Sequence, residues 1–344
     1  MLFEAKNVVK TFPMGKRSSL YAVNNASFHI CEGESLGLVG ESGCGKSTLS
    51  RISARLLDPT AGSVLLHGRD LTSKNAKQFA RDPDRANIQV VFQDPADSLN
   101  PRYNVFDIVA DPLRRLECLS GKALTERVTR TADRAGIPSE LLTRFPHQLS
   151  GGQQARVGIA RAIAVNPSLL ILDEPTSALD VSMQAVILML LQDLRARKGM
   201  SYLFVSHNLN VVRLLCNRTL VMYLGRVVES GPTDELFTRP LHPYTQALVE
   251  AIPSVDAVLS GTPPKRRILP GEPQSPVDPD PHICCFAGRC PKEYEPCRSQ
   301  APNLGEVHAG HLVACHLYQA TKVPSETGGG ETVTPPSIAV DTEV

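Results

Sequence analysis

The sequence predicts an α/β fold: a core of parallel strands interrupted by a helical insert. Three observations carry that expectation. Leu36, Leu38 and Val39 run directly into the glycine-rich loop Gly40-Glu41-Ser42-Gly43-Cys44-Gly45-Lys46-Ser47-Thr48, as where a buried strand feeds a loop and then a helix. Leu169-Leu170-Ile171-Leu172 is an unbroken apolar run ending in Asp173 and Glu174. Tyr202–Val205 is another such run, followed closely by His207. Apolar runs without alternation fit strands covered on both faces.

The remaining elements follow in order. Residues 1–30 alternate weakly and read as short strands with a turn from Pro13 to Ser19. Residues 35–39 read as a strand, 46–57 as a helix and 63–67 as a further short strand. Asn87–Phe92 is a strand that stops at Gln93. Residues 94–148 read as helical segments broken by Pro95, Pro101, Pro112, Gly136 and Pro138, inserted between core strands. Residues 151–165 and 181–197 are helices. After about Pro253 the composition shifts: Pro263, Pro264, Pro270, Pro273, Pro276, Pro279 and Pro281 predict an extended connector. Residues 322–344 are rich in Thr, Gly and Pro and read as disordered.

The loop has the complete G-x-x-x-x-G-K-S pattern, from Gly40 to Ser47. Glycines let successive backbone N–H groups close around β- and γ-phosphates. Lys46 adds a point positive charge, Ser47 offers a hydroxyl to Mg2+, and the helix beginning near Lys46 adds its positive end. Asp173 and Glu174, at a strand end beside that loop, suit two tasks. Asp173 can hold the Mg2+ shell, and Glu174 can orient and polarise an attacking water. His207 lies 33 residues after Glu174, where it can hydrogen-bond a γ-phosphate oxygen and steady the water and Glu174. Gln93 can contact Mg2+ or the water and relay between nucleotide and insert. The catalytic set is therefore Lys46, Gln93, Glu174 and His207. Leu149-Ser150-Gly151-Gly152-Gln153 precedes a helix that Ser150 can cap, with glycine N–H groups free for an anion. A second phosphate site in a chain that already has one is best explained as serving the nucleotide of a partner subunit.

Bulk properties limit the alternatives. At 344 residues the chain suggests one large domain and a smaller one, or two modest ones. Lys and Arg total 36 against 35 Asp and Glu, which argues against a nucleic-acid partner. No run of 18 uncharged apolar residues predicts a membrane span. Met-Leu-Phe-Glu-Ala-Lys lacks a signal-peptide pattern, and a phosphate loop requires ATP, so the sequence predicts a cytoplasmic protein. Tryptophan is absent, leaving the core to aliphatics. Of nine cysteines, Cys284, Cys285, Cys290, Cys297 and Cys315 fall within 32 residues. In a reducing compartment such a cluster reads as a metal or iron–sulfur site rather than as disulfides.

Taken in order, these motifs resemble those of the ATP-binding subunits of ABC transporters. Walker A is Gly40–Ser47, and the signature is Leu149–Gln153. Walker B is Leu169–Asp173 with Glu174 following, and the D-loop is Ser177-Ala178-Leu179-Asp180. Gln93 is the Q-loop residue and His207 the switch histidine. The resemblance covers about residues 1–320. It implies a P-loop NTPase of ABC type with an antiparallel β subdomain, a helical subdomain and a small Cys-containing C-terminal extension. It divides the chain into an ATP-binding domain at 1–253 (insert about 94–160), an extension at 254–321 and a tail at 322–344. It also implies head-to-tail dimers in which Ser150 and Gly152 complete the partner's ATP site, with Gly151 and Gln153 beside them. An aromatic residue would stack on adenine: Phe12, with Tyr21 the weaker candidate. The insert would dock on membrane subunits.

A narrower resemblance is to the oligopeptide/dipeptide and nickel importers. It rests on Phe92-Gln93-Asp94-Pro95 leading to Ser98-Leu99-Asn100-Pro101-Arg102, on His242-Pro243-Tyr244-Thr245-Gln246-Ala247-Leu248, and on the late cysteines with Phe286, Arg289, Pro291, His311 and His316. That branch implies a [4Fe-4S] cluster on Cys284, Cys290, Cys297 and Cys315. The spacing lacks the close C-x2-C pairs of common zinc sites. Metal-free, packed thiols are the alternative, and Cys285 could replace Cys284 as ligand. The chain departs from the family pattern at Gln154, where Arg is common, and at Asn208, where Asp is common. Neither removes a catalytic group.

The resemblance implies these partners: a second ABC ATPase subunit, commonly a different chain although a homodimer stays open, two transmembrane permease subunits, and an extracytoplasmic solute-binding protein. The site would be the cytoplasmic face of the inner membrane, and the cargo di- or oligopeptides. Nickel or an oligosaccharide is the alternative cargo, and a soluble ABC ATPase not coupled to transport is the alternative of another class.

Overall fold

The computed structural model describes residues 1–252, 270–271 and 274–318. The tail expected at 322–344, and most of the proline-rich connector, lie outside the described residues.

Two sheets organise the chain. The first is antiparallel, ordered β2-β1-β4-β5, from β1 (Phe3–Met14), β2 (Ser18–Ile30), β4 (Ala61–Leu66) and β5 (Arg69–Asp70). β1 and β2 are 12 and 13 residues long, not the short strands their weak alternation suggests. The cause is irregular pairing. Register shifts between Ala5 and Val8, Val8 and Lys10, and Lys10 and Thr11 reset which side chains face inward. The turn is correspondingly tighter than expected, since Pro13 and Ser19 already pair with each other.

The second sheet has eight described strands. Five are parallel neighbours in the order β9-β3-β8-β7-β6: β3 (Ser35–Val39), β6 (Ile88–Val91), β7 (Leu169–Asp173), β8 (Ser201–Val205) and β9 (Arg218–Tyr223). Every residue of β3, β6, β7 and β8 is buried, the covered-on-both-faces state that their unbroken apolar runs predict. β10 (Arg226–Pro232) turns back antiparallel on β9. The hairpin β11 (Gly305–His308) and β12 (His311–Val313) then joins β10, pairing Glu229 with Val313. The C-terminal segment thus extends the main sheet.

Helices cover both faces. α1 (Lys46–Ser53) is shorter than the expected 46–57. Arg55 turns to φ 54° and the Leu56 N–H returns to the Arg51 carbonyl, a left-handed helix stop. After α2 (Ala76–Phe79) the insert comprises α3 (Pro95–Ser98), α4 (Val105–Leu116) and α5 (Gly121–Arg134), packed with α6 (Gly151–Ile163) around Val105, Ile108, Leu113, Leu124, Val128 and Val157. Pro112 sits inside α4 rather than breaking it, because the buried face of that helix outweighs one lost backbone hydrogen bond. Ile159 and Ile163 of α6 belong instead to the core under the main sheet. α6 therefore ties the insert to the strands that carry the acidic pair. α7 (Val181–Lys198), α8 (Leu209–Leu215), α9 (Thr233–Thr238) and α10 (Pro243–Glu250) complete the layer. Among the described residues no helix is long and apolar enough to cross a membrane.

Candidate active site

The loop between β3 and α1 is shaped by close backbone approach. A Cβ on Gly40 would stand 2.2 Å from the Met222 carbonyl oxygen, and one on Gly45 would stand 2.0 Å from that of Ala22. Gly45 also adopts φ 104° as the residue preceding α1. Only glycine fits either place. Lys46 is buried, and its Nζ donates to the carbonyls of Gly40 (2.8 Å) and Glu41 (2.9 Å). The loop is thereby drawn into an arc around the lysine.

Parallel pairing delivers the acidic pair to this arc. β7 runs beside β8 with Asp173 opposite Val205. The buried Asp173 accepts from Ser50 Oγ at 3.0 Å, and Ser47 Oγ lies 3.5 Å from its other oxygen. Burial raises the Asp173 pKa, opposed mainly by the Ser50 hydrogen bond. A buried carboxylate among hydroxyl oxygens, with no salt-bridge partner among the described residues, has the donor chemistry of a hard divalent cation site.

Glu174 follows with a left-handed backbone, φ 49°, uncommon for a residue with a side chain. Its N–H is held by the Val205 carbonyl at 2.9 Å. Its Oε2 is shared: Gln93 Nε2 donates to it at 3.2 Å, and His207 Nδ1 lies 3.1 Å away. The ends of β6, β7 and β8 thus meet at one carboxylate oxygen.

These groups open into a cavity of ≈ 600 Å³. Its walls include Phe12, Tyr21, Ser42, Gly43, Gly45, Lys46, Ser47, Thr48, Gln93, Glu174 and His207. Both aromatic candidates are present. Gly40, Glu41 and Cys44 are not among its lining residues, and Asp173 meets the loop and α1 through Ser47 and Ser50. Leu20, Ala22, Leu224, Gly225 and Pro276 line it too, and none of them carries a motif in the sequence that points to this site. Pro276 belongs to the stretch read as connector. It arrives because Leu20 bridges to Val277 and the Tyr21 N–H donates to the Pro276 carbonyl, a pairing with no signal in the sequence.

The signature residues lie elsewhere. Ser150, Gly151, Gly152 and Gln153 are not among the cavity's lining residues. Ser150 caps α6 reciprocally with Gln153: Ser150 Oγ accepts from the Gln153 N–H, and Gln153 Oε1 accepts from the Ser150 N–H. Gln154, where the family commonly has Arg, donates to the Pro146 and Leu149 carbonyls. The amide thus braces the single 3-10 turn, Pro146–Gln148, that leads into the signature. Arg156 holds the Ala135 and Gly136 carbonyls.

The metal or [4Fe-4S] site expected on Cys284, Cys290, Cys297 and Cys315 is not borne out. Among the described residues no three His, Cys, Asp or Glu side chains are arranged to hold a metal ion. Burial raises the thiol pKa of Cys297, of Cys290 to about 11 and of Cys315 to about 12. Cys284 is drawn into a hydrogen bond with Cys285, which lowers its pKa to about 7. Cys284 and Cys297 are packed in the apolar core with Phe286. These cysteines pack as free thiols.

Comparison with known proteins agrees with this geometry. Residues 23–177 match the family described as ABC transporter, and residues 228–297 match the oligopeptide/dipeptide transporter C-terminal region. The chain is 46% identical over 299 residues to a probable peptide ABC transporter ATP-binding protein, y4tS, of Sinorhizobium fredii, covering 86% of this chain and 82% of that one. It is 43% identical over 325 residues to the oligopeptide transport ATP-binding protein AppF of Bacillus subtilis, covering 92% and 97%. The ATP-binding cassette MJ0796, solved as a post-hydrolysis dimer bound to ADP and Pi, superposes with TM-score 0.62 at 33% identity over 67% of this chain and 99% of that one. The fold and site define an ATP-hydrolysing cassette, and the chain belongs to the ATP-binding subunits of ABC transporters. Within that class it falls in the peptide and oligopeptide import branch.

Proposed function

We propose that this chain hydrolyses ATP to drive import of di- or oligopeptides through partner membrane subunits, working at the cytoplasmic face of the membrane. The observation that carries the hydrolytic part is the convergence of Gln93 and His207 on Glu174 Oε2, in a cavity lined also by Ser42, Gly43, Gly45, Lys46 and Ser47 of the loop. The cargo and the permease and solute-binding partners rest on likeness to the peptide and oligopeptide transport subunits.

In this reading adenine stacks on Phe12, or on Tyr21 beside it, and the loop N–H groups take the β- and γ-phosphates. Lys46 exchanges its loop carbonyls for phosphate oxygens. Ser47, Asp173 and the Gln93 amide oxygen would hold Mg2+, which supplies positive charge against the phosphate oxygens. Glu174 orients the attacking water, and Gln93 and His207 fix the carboxylate that does so. Ser150 and Gly152, which do not line this chain's cavity, serve the ATP of a second ATPase subunit, paired head to tail. A different chain is the partner we favour. The division into a nucleotide domain at 1–253 and an extension at 254–321 is part of the same proposal.

The test is reconstitution with permease and receptor in vesicles. Externally added dipeptides and oligopeptides should accelerate ATP hydrolysis, and Glu174→Gln should abolish the acceleration while ATP still binds. Stimulation by nickel or an oligosaccharide but not by peptide would overturn the cargo assignment. Full turnover by Glu174→Gln would overturn the hydrolytic one.

A further inference from the structure

Glu41, the second residue of the phosphate loop, is held by groups from far along the chain. Its N–H donates to the Tyr244 hydroxyl at 2.8 Å. Its carboxylate accepts from Arg289 Nη1 at 3.2 Å, and its carbonyl accepts from Lys46. The N–H, the carbonyl and one carboxylate oxygen of Glu41 are thereby engaged. Arg289 lies 248 residues away in the C-terminal extension and is itself buried. The same Nη1 donates to the Tyr223 hydroxyl at 3.2 Å, and the guanidinium lies over the Tyr223 ring, 5.8 Å from its centroid.

The two anchors are built as one unit. Phe286 meets Tyr223 edge-on at 5.2 Å and approaches Tyr244 at 5.6 Å. Tyr244 is fully buried near the start of α10, where its N–H donates to His242 Nδ1. The Arg289 N–H donates to the Phe286 carbonyl, fixing the turn that aims the guanidinium. Two motifs without a role in the hydrolytic site, His242–Leu248 and the segment around Cys284–Cys290, thus converge on the phosphate loop.

Electrostatics gives the arrangement a purpose. A free carboxylate in a loop that receives a polyphosphate repels it. Glu41 is absent from the cavity wall, and Arg289 both neutralises its charge and fixes it on the side of the extension.

We infer that Arg289 and Tyr244 are positioning residues for the nucleotide, acting through Glu41 to hold the phosphate loop in its receptive shape. The inference rests on the ATP-binding reading above. The experiment uses the full chain, titrated with MgATP and assayed for turnover in the assembled transporter. Arg289→Met, which keeps the aliphatic stem, should weaken MgATP binding about two- to fivefold, the range for a partly exposed charged contact. KM should rise more than kcat falls, and Arg289→Lys should recover most of the loss. Placed on Glu41→Gln, Arg289→Met should add nothing, because no charge remains to neutralise. Tyr244→Phe, which removes a single hydroxyl, should weaken binding in the same direction and carries the test if Arg289→Met does not fold. Unchanged MgATP affinity in Arg289→Met and Tyr244→Phe overturns the inference, as does an Arg289→Met effect equally large in the Glu41→Gln background. Wild-type chain that binds no MgATP would instead overturn the functional reading beneath it.

Discussion

His207 Nδ1 lies 3.1 Å from Glu174 Oε2, the same oxygen that accepts from Gln93 Nε2. Glu174 is mostly buried whereas the His207 side chain is 62% exposed. The histidine side chain can therefore leave and return without disturbing the core. We expect Glu174→Gln to retain ATP binding and lose about 100-fold or more in kcat, the scale of a lost general base. Single-turnover kinetics on the assembled transporter would separate binding from chemistry. Gln93→Ala leaves the carboxylate with one of its two partners, so its loss should be smaller, about tenfold. A Gln93→Ala defect as severe as that of Glu174→Gln would contradict this ranking.

Lys46 is held by two loop carbonyls at 2.8 and 2.9 Å. Lys46→Met removes the charge with little change in length. MgATP affinity should drop by about 30-fold, some 2 kcal/mol for a charge-assisted contact. Equilibrium titration would read this directly, and wild-type affinity would exclude Lys46 from the phosphate site.

At Gly45 both conformation and space forbid a side chain: φ is 104° and a Cβ would lie 2.0 Å from the Ala22 carbonyl. Gly45→Ala should cost about 2–4 kcal/mol. It should also abolish MgATP binding where folding survives. Urea titration monitored by circular dichroism measures the first effect. A shift in midpoint below experimental error would show that this contact relaxes cheaply.

Ser150 is outside this chain's cavity. Ser150→Arg should therefore leave MgATP binding to the isolated chain intact while turnover in the assembled transporter collapses. It also forfeits the α6 cap, about 1 kcal/mol, which thermal melting would register. Weakened ATP binding by the isolated monomer would place the signature in cis and refute the head-to-tail arrangement.

His242 is buried, and burial lowers its pKa from 6.5 to about 4, with Glu229 opposing. The folded state thus holds a neutral imidazole where the unfolded chain binds a proton. This contribution is fully present above about pH 6.5 and is lost as the pH falls toward 4. The shift corresponds to about 3 kcal/mol. The stability of His242→Asn, which keeps a side-chain acceptor for the Tyr244 N–H, should vary less with pH across that window. Parallel stability curves for the two proteins would refute the assignment.

That Gln93, Glu174 and His207 would come together was largely legible because they sit at strand ends, and parallel strands announce themselves as unbroken apolar runs. Ser35–Val39 matches its expected bounds, and Leu169–Asp173 and Ser201–Val205 extend theirs by one residue. Less legible was whatever depended on irregular pairing or on thiol geometry. The bulged β1–β2 pair hid its true length. The cysteine spacing suggested a metal centre, although spacing along a chain says nothing of whether thiols converge on one point.

By itself the sequence determined the loop, the buried strands and the residue types at their ends, since each lies within a short stretch of local pattern. The tertiary structure alone decided that Gln93 and His207 share one oxygen of Glu174, across 81 and 33 residues. It also decided that Arg289 and Tyr244 close on Glu41, and that Pro276 reaches the cavity. These meetings depend on the register of β6, β7 and β8 and on the edge where the C-terminal hairpin joins β10. Such long-range pairing is set by packing of the whole core, and no local pattern encodes it.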